Sequence, residues 1–108
     1  MITVSLCMIV KNEEDVLSRC LSSVQGLVEE MVVVDTGSTD STKEVARKFT
    51  DRVFDFPWAE DFSQARNFSF SQATQQFCLW MDADDVIDPE YRQGFLELKQ
   101  VLPPRPMW

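Results

Sequence analysis

The chain has 108 residues, with 18 acidic against 10 basic side chains and a net charge of −8. That length suits one domain, and the sign of the charge argues against a nucleic-acid backbone or an anionic membrane as main partner. There is no histidine, which excludes Ser-His-Asp and Cys-His nucleophilic sites and any histidine metal ligand.

The three cysteines, Cys7, Cys20 and Cys78, form no C-x-x-C pair, and each lies in an apolar stretch. All three are expected as small core residues, in a reduced, cytoplasmic setting. The N-terminus lacks the basic region and small-residue cleavage site of a signal peptide and reads as a strand. No apolar run is long enough to span a bilayer.

Residues 2–10 are apolar and β-rich, as in a buried strand. Asn12 is expected to cap a helix, with Glu13, Glu14 and Asp15 in its positive first turn. Val16, Leu17, Cys20, Leu21 and Val24 share one helical face, and Gly26 is the stop. Residues 31–34 form a short buried strand ending at Asp35, followed by the loop Thr36-Gly37-Ser38-Thr39-Asp40. Ser41 and Glu44 have capping-box spacing, and Val45, Ala46 and Phe49 give the second helix its apolar face.

Residues 52–56 are a third strand candidate, ended by Pro57. Asp61 or Ser63 starts a third helix, with Phe62, Ala65, Phe68 and Ala73 as its stripe. Residues 77–81 make a fourth strand running into Asp82-Ala83-Asp84-Asp85. Asp88 and Pro89 are the cap and first-turn proline of a last helix. Its apolar positions are Tyr91, Phe95, Leu98 and Leu102, and Pro103 and Pro104 end it. Strand and helix alternate four times. This predicts a single α/β domain over residues 1–108, three layers deep (α/β/α), on a mostly parallel four-stranded sheet.

Ligands of open parallel sheets bind outside the carboxyl ends of the strands. Three of the four strands deliver carboxylates there. The first is followed by Glu13 and Glu14, the second by Asp35, the fourth by Asp82, Asp84 and Asp85. Crowded carboxylates suggest a cation or a hydroxyl-rich ligand. Glu14 and Asp40 read more simply as caps or turn formers, and Asp35 as either. Asp82 and Asp84 follow the strand without a turn residue, while Asp88 is placed to cap the next helix. Two aspartates spaced by one residue suit a hard divalent ion, Mg²⁺ or Mn²⁺, which also takes substrate phosphates. Arg66 is a candidate phosphate partner or a solvated helix arginine.

The segments Met8-Ile9-Val10-Lys11-Asn12-Glu13-Glu14, Val33-Val34-Asp35-Thr36-Gly37-Ser38-Thr39-Asp40, Ala65-Arg66-Asn67 and Met81-Asp82-Ala83-Asp84-Asp85 together resemble family-two glycosyltransferases. The resemblance implies a Rossmann-like GT-A fold and an inverting transfer of sugar from a nucleotide diphosphate with a divalent metal. The donor is expected to be a UDP-sugar. By the same resemblance Ile9, Val10 and Glu13 line the base and ribose pocket, and Asp35 bonds the base. Arg66 lies near base and phosphates, and Asp82 and Ala83 belong to the D-x-D segment against ribose or metal. Asp82 and Asp84 serve the metal, with Asp84 bridging to the diphosphate. Lys11 departs from the tyrosine often found there, so no aromatic ring is offered to the base.

The family's domain is about twice this length, in keeping with the usual size of a domain. Its later half carries the acceptor site and the base that deprotonates the acceptor hydroxyl. The catalytic base is therefore expected beyond Trp108, and the 108-residue chain is expected to be inactive alone. The fourth strand, at the sheet's edge, is expected to invite a homodimer. The alternatives are a non-catalytic nucleotide-binding or interaction module of the same fold, a phosphoacceptor receiver domain, and a nucleotidyltransferase. The receiver lacks its aspartate after the third strand and a lysine after a fifth. The nucleotidyltransferase lacks a Gly-rich basic loop after the first strand.

Overall fold

The computed structural model describes residues 2–57 and 62–101. In chain order it contains β1 (Val4–Val10), α1 (Leu17–Val24), β2 (Glu30–Asp35), α2 (Thr42–Arg47), β3 (Val53–Asp55), α3 (Phe62–Ser71), β4 (Phe77–Trp80) and α4 (Pro89–Val101). The strands stand in the order β3-β2-β1-β4, and all three pairings are parallel.

The two central strands are covered on both faces, which is why they read as continuous apolar runs. Side chains alternate across the sheet. Leu6, Met8, Val10, Met31 and Val33 pack on one face with Leu17, Cys20, Leu21 and Val24 of α1 and Ala46 of α2. Cys7, Val32 and Val34 occupy the other, against Phe54, Phe56, Phe68, Phe70 and Trp80. Three layers result. The buried α1 positions recur at i, i+3, i+4 and i+7, and truncating one of them, Leu21→Ala, would cost about 2–5 kcal/mol. The helix ends at Val24 with Gln25 as its extended C-cap, and Gly26 follows at φ 88°, where a Cβ would be strained.

α4 is tied down by polar groups. The Arg92 guanidinium donates to the carbonyls of Ser23 and Gln25 at 2.9 and 3.1 Å. The Lys99 ammonium donates to the Leu27 carbonyl at 2.6 Å and to both Glu29 carboxylate oxygens at 2.6 and 2.7 Å. Ile2 N–H reaches the Lys99 carbonyl at 2.9 Å.

Several expectations need correction. α1 begins at Leu17, not after Asn12, with no acidic residue in its first turn. Asn12 has φ 54°, outside the helical region, because its side chain and that of Glu14 serve the β2–α2 loop instead. The Ser41/Glu44 box does not form, and Asp40 accepts the Thr42 N–H at 2.9 Å in its place. On α4, Tyr91 is 70% exposed and Leu98 49%, whereas Lys99 is 3% exposed. Apolar spacing cannot anticipate a cation whose head finds a carbonyl and a carboxylate at the end of a buried stem. Cys78 is exposed, since β4 is the outermost strand and α3 packs on β1 and β2. The expected helix start at Asp61, the side chain of Phe62, and the positions Leu102, Pro103 and Pro104 lie outside the described residues.

Candidate functional site

Because every strand runs the same way, all carboxyl ends share one rim. Val10 pairs with Asp35 across β1 and β2, and Cys7 pairs with Trp80 across β1 and β4. The segments after β1, β2 and β4 therefore emerge side by side.

The first two of these segments are laced together. Asn12 Oδ1 accepts the Thr39 N–H at 2.8 Å, and Asn12 N–H donates to Ser38 Oγ at 2.8 Å. Glu13 N–H donates to Thr42 Oγ1 at 2.8 Å, and Thr42 is fully buried. Glu14 and Asp40 exchange roles: Ser41 N–H donates to Glu14 Oε2 at 3.0 Å, and Glu14 N–H to Asp40 Oδ2 at 3.4 Å. The Thr42 hydroxyl donates to Asp40 as well. These bonds hold the Asp40 carboxyl below the usual aspartate range, the Thr42 hydroxyl being the main cause. Glu14 and Asp40 are thus turn and loop ties. Ser38, Thr39 and Thr42 were not singled out from sequence. The signal available was a Ser/Thr-rich loop beside a strand end, which any turn also shows.

Asp35 is 1% exposed. Its Oδ1 accepts the N–H groups of Gly37 and Ser38, both at 2.8 Å. Gly37, at φ 116°, supplies the left-handed turn that brings these amides round. Oδ2 is buried and has no hydrogen-bond partner among the described residues. Buried polar atoms are nearly always paired, so an orphan carboxylate oxygen at a strand-end rim marks a place for a donor from outside the chain.

Asp82 and Asp84 are exposed, with Ala83 buried between them. The turn is closed by Asp85: Asp82 N–H donates to Asp85 Oδ2 at 3.1 Å, and Asp85 N–H to the Asp82 carbonyl at 3.0 Å. Asp85 is therefore the turn's own tie. The carboxylates of Asp82 and Asp84 accept no hydrogen bond from the described residues. The buried Cys20 thiol beneath them donates to the Asp82 carbonyl at 3.6 Å. Its pKa is pushed up to about 11, first by burial and then by the charges of Asp85, Asp84 and Asp82. One thiol thus feels all three carboxylates. No group of three or more His, Cys, Asp or Glu among the described residues could hold a metal unaided. Two free carboxylate donors with open coordination fit Mg²⁺ or Mn²⁺, which complete their shell with water and phosphate.

The remaining expected residues divide. Ile9 is half-buried on the α3 face. Val10 and Ala83 have their side chains in the core under α1 and can offer only backbone to a ligand. Glu13 is half-buried, and its carbonyl accepts the N–H groups of Val16 and Leu17 at the start of α1. Arg66 lies on α3 with its guanidinium 5.2 Å from the Trp80 ring centre and 5.7 Å from that of Phe70. Trp80 is the last residue of β4, so the ring beside this cation is two residues from Asp82 along the chain.

A cavity of about 380 Å³ lies at the opposite pole, among Gly26, Glu30, Thr50, Arg52 and Gln75. Its main carboxylate is already engaged. Glu30 accepts from Ser5 Oγ at 2.7 Å, Thr74 N–H at 2.8 Å and Thr74 Oγ1 at 2.8 Å, with Arg52 Nε at 3.1 Å. Burial raises the Glu30 pKa, but these donors outweigh it and the net shift is downward. The size of this hollow is thus no guide to a ligand site, because its carboxylate is already used within the fold.

A parallel β3-β2-β1-β4 sheet, helices on both faces and free carboxylates at the strand ends define a Rossmann-like α/β protein. Residues 5–102 match the profile described as Glycosyl transferase family 2, and the chain belongs to that family. It is 46% identical over 87 residues to a TPR repeat-containing protein of Synechococcus elongatus, covering 81% of this chain and 22% of that protein. It is 32% identical over 102 residues to the SPbeta prophage-derived glycosyltransferase SunS of Bacillus subtilis, covering 93% and 24%. The chain thus spans less than a quarter of the length of either relative.

Among solved structures it resembles Staphylococcus aureus TarS 1–349, with a TM-score of 0.72 and 26% identity, over 85% of this chain and 30% of that one. It also resembles Mycobacterium tuberculosis glucosyl-3-phosphoglycerate synthase in complex with Mn²⁺ and UDP-glucose, with a TM-score of 0.67 and 25% identity, over 79% and 34%. By resemblance the chain is glycosyltransferase-type, and no helix among its described residues is long and apolar enough to cross a membrane.

Proposed function

We propose that residues 1–108 are the N-terminal, nucleotide-binding part of a GT-A glycosyltransferase domain. This part binds a UDP-sugar with Mn²⁺ or Mg²⁺ for transfer to an acceptor hydroxyl. The observation that carries this reading is the buried, unpartnered Oδ2 of Asp35 at the rim that also bears Asp82 and Asp84. Asp35 accepts an N–H of the base, which uracil has to give. Ile9, and the backbone of Val10 and Glu13, border the base and ribose. Asp82 and Asp84 hold the cation, Ala83 packs the turn from below, and Arg66 faces the diphosphate. When bound, the cation neutralises the diphosphate and stabilises it as leaving group. Without it the carboxylates would repel the same anion. The UDP-glucose complex of the mycobacterial synthase supports the choice of ligand.

No residue here is assigned as the base that takes the acceptor proton, so donor binding without turnover is expected. Calorimetry with UDP, GDP and TDP, with and without Mn²⁺, on wild type and Asp84→Ala tests the reading. Mn²⁺-dependent UDP binding that Asp84→Ala weakens is expected. Equal binding with and without metal would remove the role given to Asp84. Turnover of a donor by the 108-residue chain would overturn the expectation of inactivity.

A cytoplasmic setting is supported by cysteines that are all free. Self-association along β4 is supported by its outermost place and by the apolar groove of Ile2, Val4, Cys78, Leu79, Phe95 and Leu98 beside it. A monomer in sedimentation at high concentration would refute it.

A further inference from the structure

We infer that Asn12 is a positioning residue for the nucleotide site, holding the β2–α2 loop so that Asp35 keeps one oxygen free for the ligand. This rests on the nucleotide reading above. Three consecutive amides, Gly37, Ser38 and Thr39, are fixed by two side chains from neighbouring strand ends. Asp35 Oδ1 takes the first two, and Asn12 Oδ1 takes the third at 2.8 Å and the Thr39 hydroxyl at 3.4 Å. Asn12 returns its own N–H to Ser38 Oγ. Without the second holder, the Thr39 amide loses its acceptor, and Gly37 and Ser38 are left to the Asp35 carboxylate and the main-chain N–H of residue 12. That carboxylate could then turn about its last torsion and lose the division between a bonded and a free oxygen.

The backbone supports the same conclusion. Asn12 is the one described residue other than glycine with positive φ. Asparagine is among the few residues that enter this region readily, and strain of this kind collects at functional sites. The twist turns a residue directly after β1 away from helix entry and toward the neighbouring loop. Glycine would allow the twist but supply no acceptor. Aspartate allows both. Asn12→Ala should still fold, because Glu13–Thr42 and Glu14–Asp40 continue to join the loops.

The test uses the 108-residue chain as wild type, Asn12→Ala and Asn12→Asp. Amide hydrogen exchange is read at residues 37–39, and UDP affinity is read by calorimetry with Mn²⁺. Asn12→Ala should speed exchange at Gly37 and Ser38 as well as Thr39, and weaken UDP about five- to tenfold, the worth of about one ordinary hydrogen bond. Asn12→Asp should restore protection at all three amides, which a mere loss of packing would not predict. Unchanged UDP affinity in Asn12→Ala, beside a wild type that binds, overturns the positioning role alone. A wild type that does not bind UDP refutes the nucleotide reading instead. The exchange data then decide by themselves, and unchanged protection of Gly37 and Ser38 in Asn12→Ala overturns the inference.

Discussion

Asp35→Asn separates the two jobs of a single carboxylate. In the folded chain Oδ1 is occupied by the Gly37 and Ser38 amides, while Oδ2 is buried and unpartnered. Asparagine can keep the first by presenting its own Oδ1. It then puts an NH₂ where the free oxygen stood, so a donor on the ligand meets a donor on the protein. A hydrogen bond to a charged group contributes about 1.5–3 kcal/mol. Losing about 2 kcal/mol of it weakens binding roughly thirtyfold. Stability should change little, by less than about 1 kcal/mol, because the turn bonds survive and a buried charge is removed. Calorimetric titration with UDP and Mn²⁺ gives the first quantity and urea unfolding the second. UDP affinity within twofold of wild type, with unfolding unchanged, would show that Oδ2 does not receive the ligand.

Two further outcomes are expected. Glu30→Gln should cost about 1–3 kcal/mol in urea unfolding, since a charged acceptor for Ser5 and Thr74, ion-paired with Arg52, becomes a neutral one. The Glu30 carboxyl is depressed in the folded state, so its contribution is complete above the unfolded value of about 4.3 and is lost as pH falls through the folded value. Wild type should therefore lose stability below about pH 4 more steeply than the variant, and parallel curves would refute this. In thiol labelling at pH 8, Cys78 should react quickly. Buried Cys7 and Cys20 should react only on unfolding, since a thiol with its pKa at about 11 is roughly 0.1% thiolate at that pH. Three fast thiols in the native chain would contradict the burial described.

The sheet was legible because its signals are strong and local. Continuous apolar runs followed by Asp35 and Asp82 put strands and carboxylates in register with one rim. The apolar repeat of α1 was equally plain. The helix starts were not, because Asn12, Glu14 and Asp40 have side chains suited to capping that are used across loops instead, and sequence spacing does not show which partner wins. Lys99 was missed for a related reason. Periodicity ranks it as a solvent residue, and only the three-dimensional meeting with Leu27 and Glu29 makes burial tolerable. The orphan oxygen of Asp35 could not be read from sequence at all, since it depends on which of two chemically equal atoms the Gly37 turn takes up.

The ties on α4 have a reach beyond stability. The segment bearing Asp82 and Asp84 spans from β4, which is bonded to β1, to a helix whose far end is pinned by Lys99. From Pro89 to Lys99 is about 15 Å of helix, at 1.5 Å per residue. The acidic turn is thus a short bridge between two anchored piers, and one pier stands at the other pole of the sheet. The turn that carries the two outward aspartates is thus held from a helix whose own anchor is an ion pair at the opposite pole.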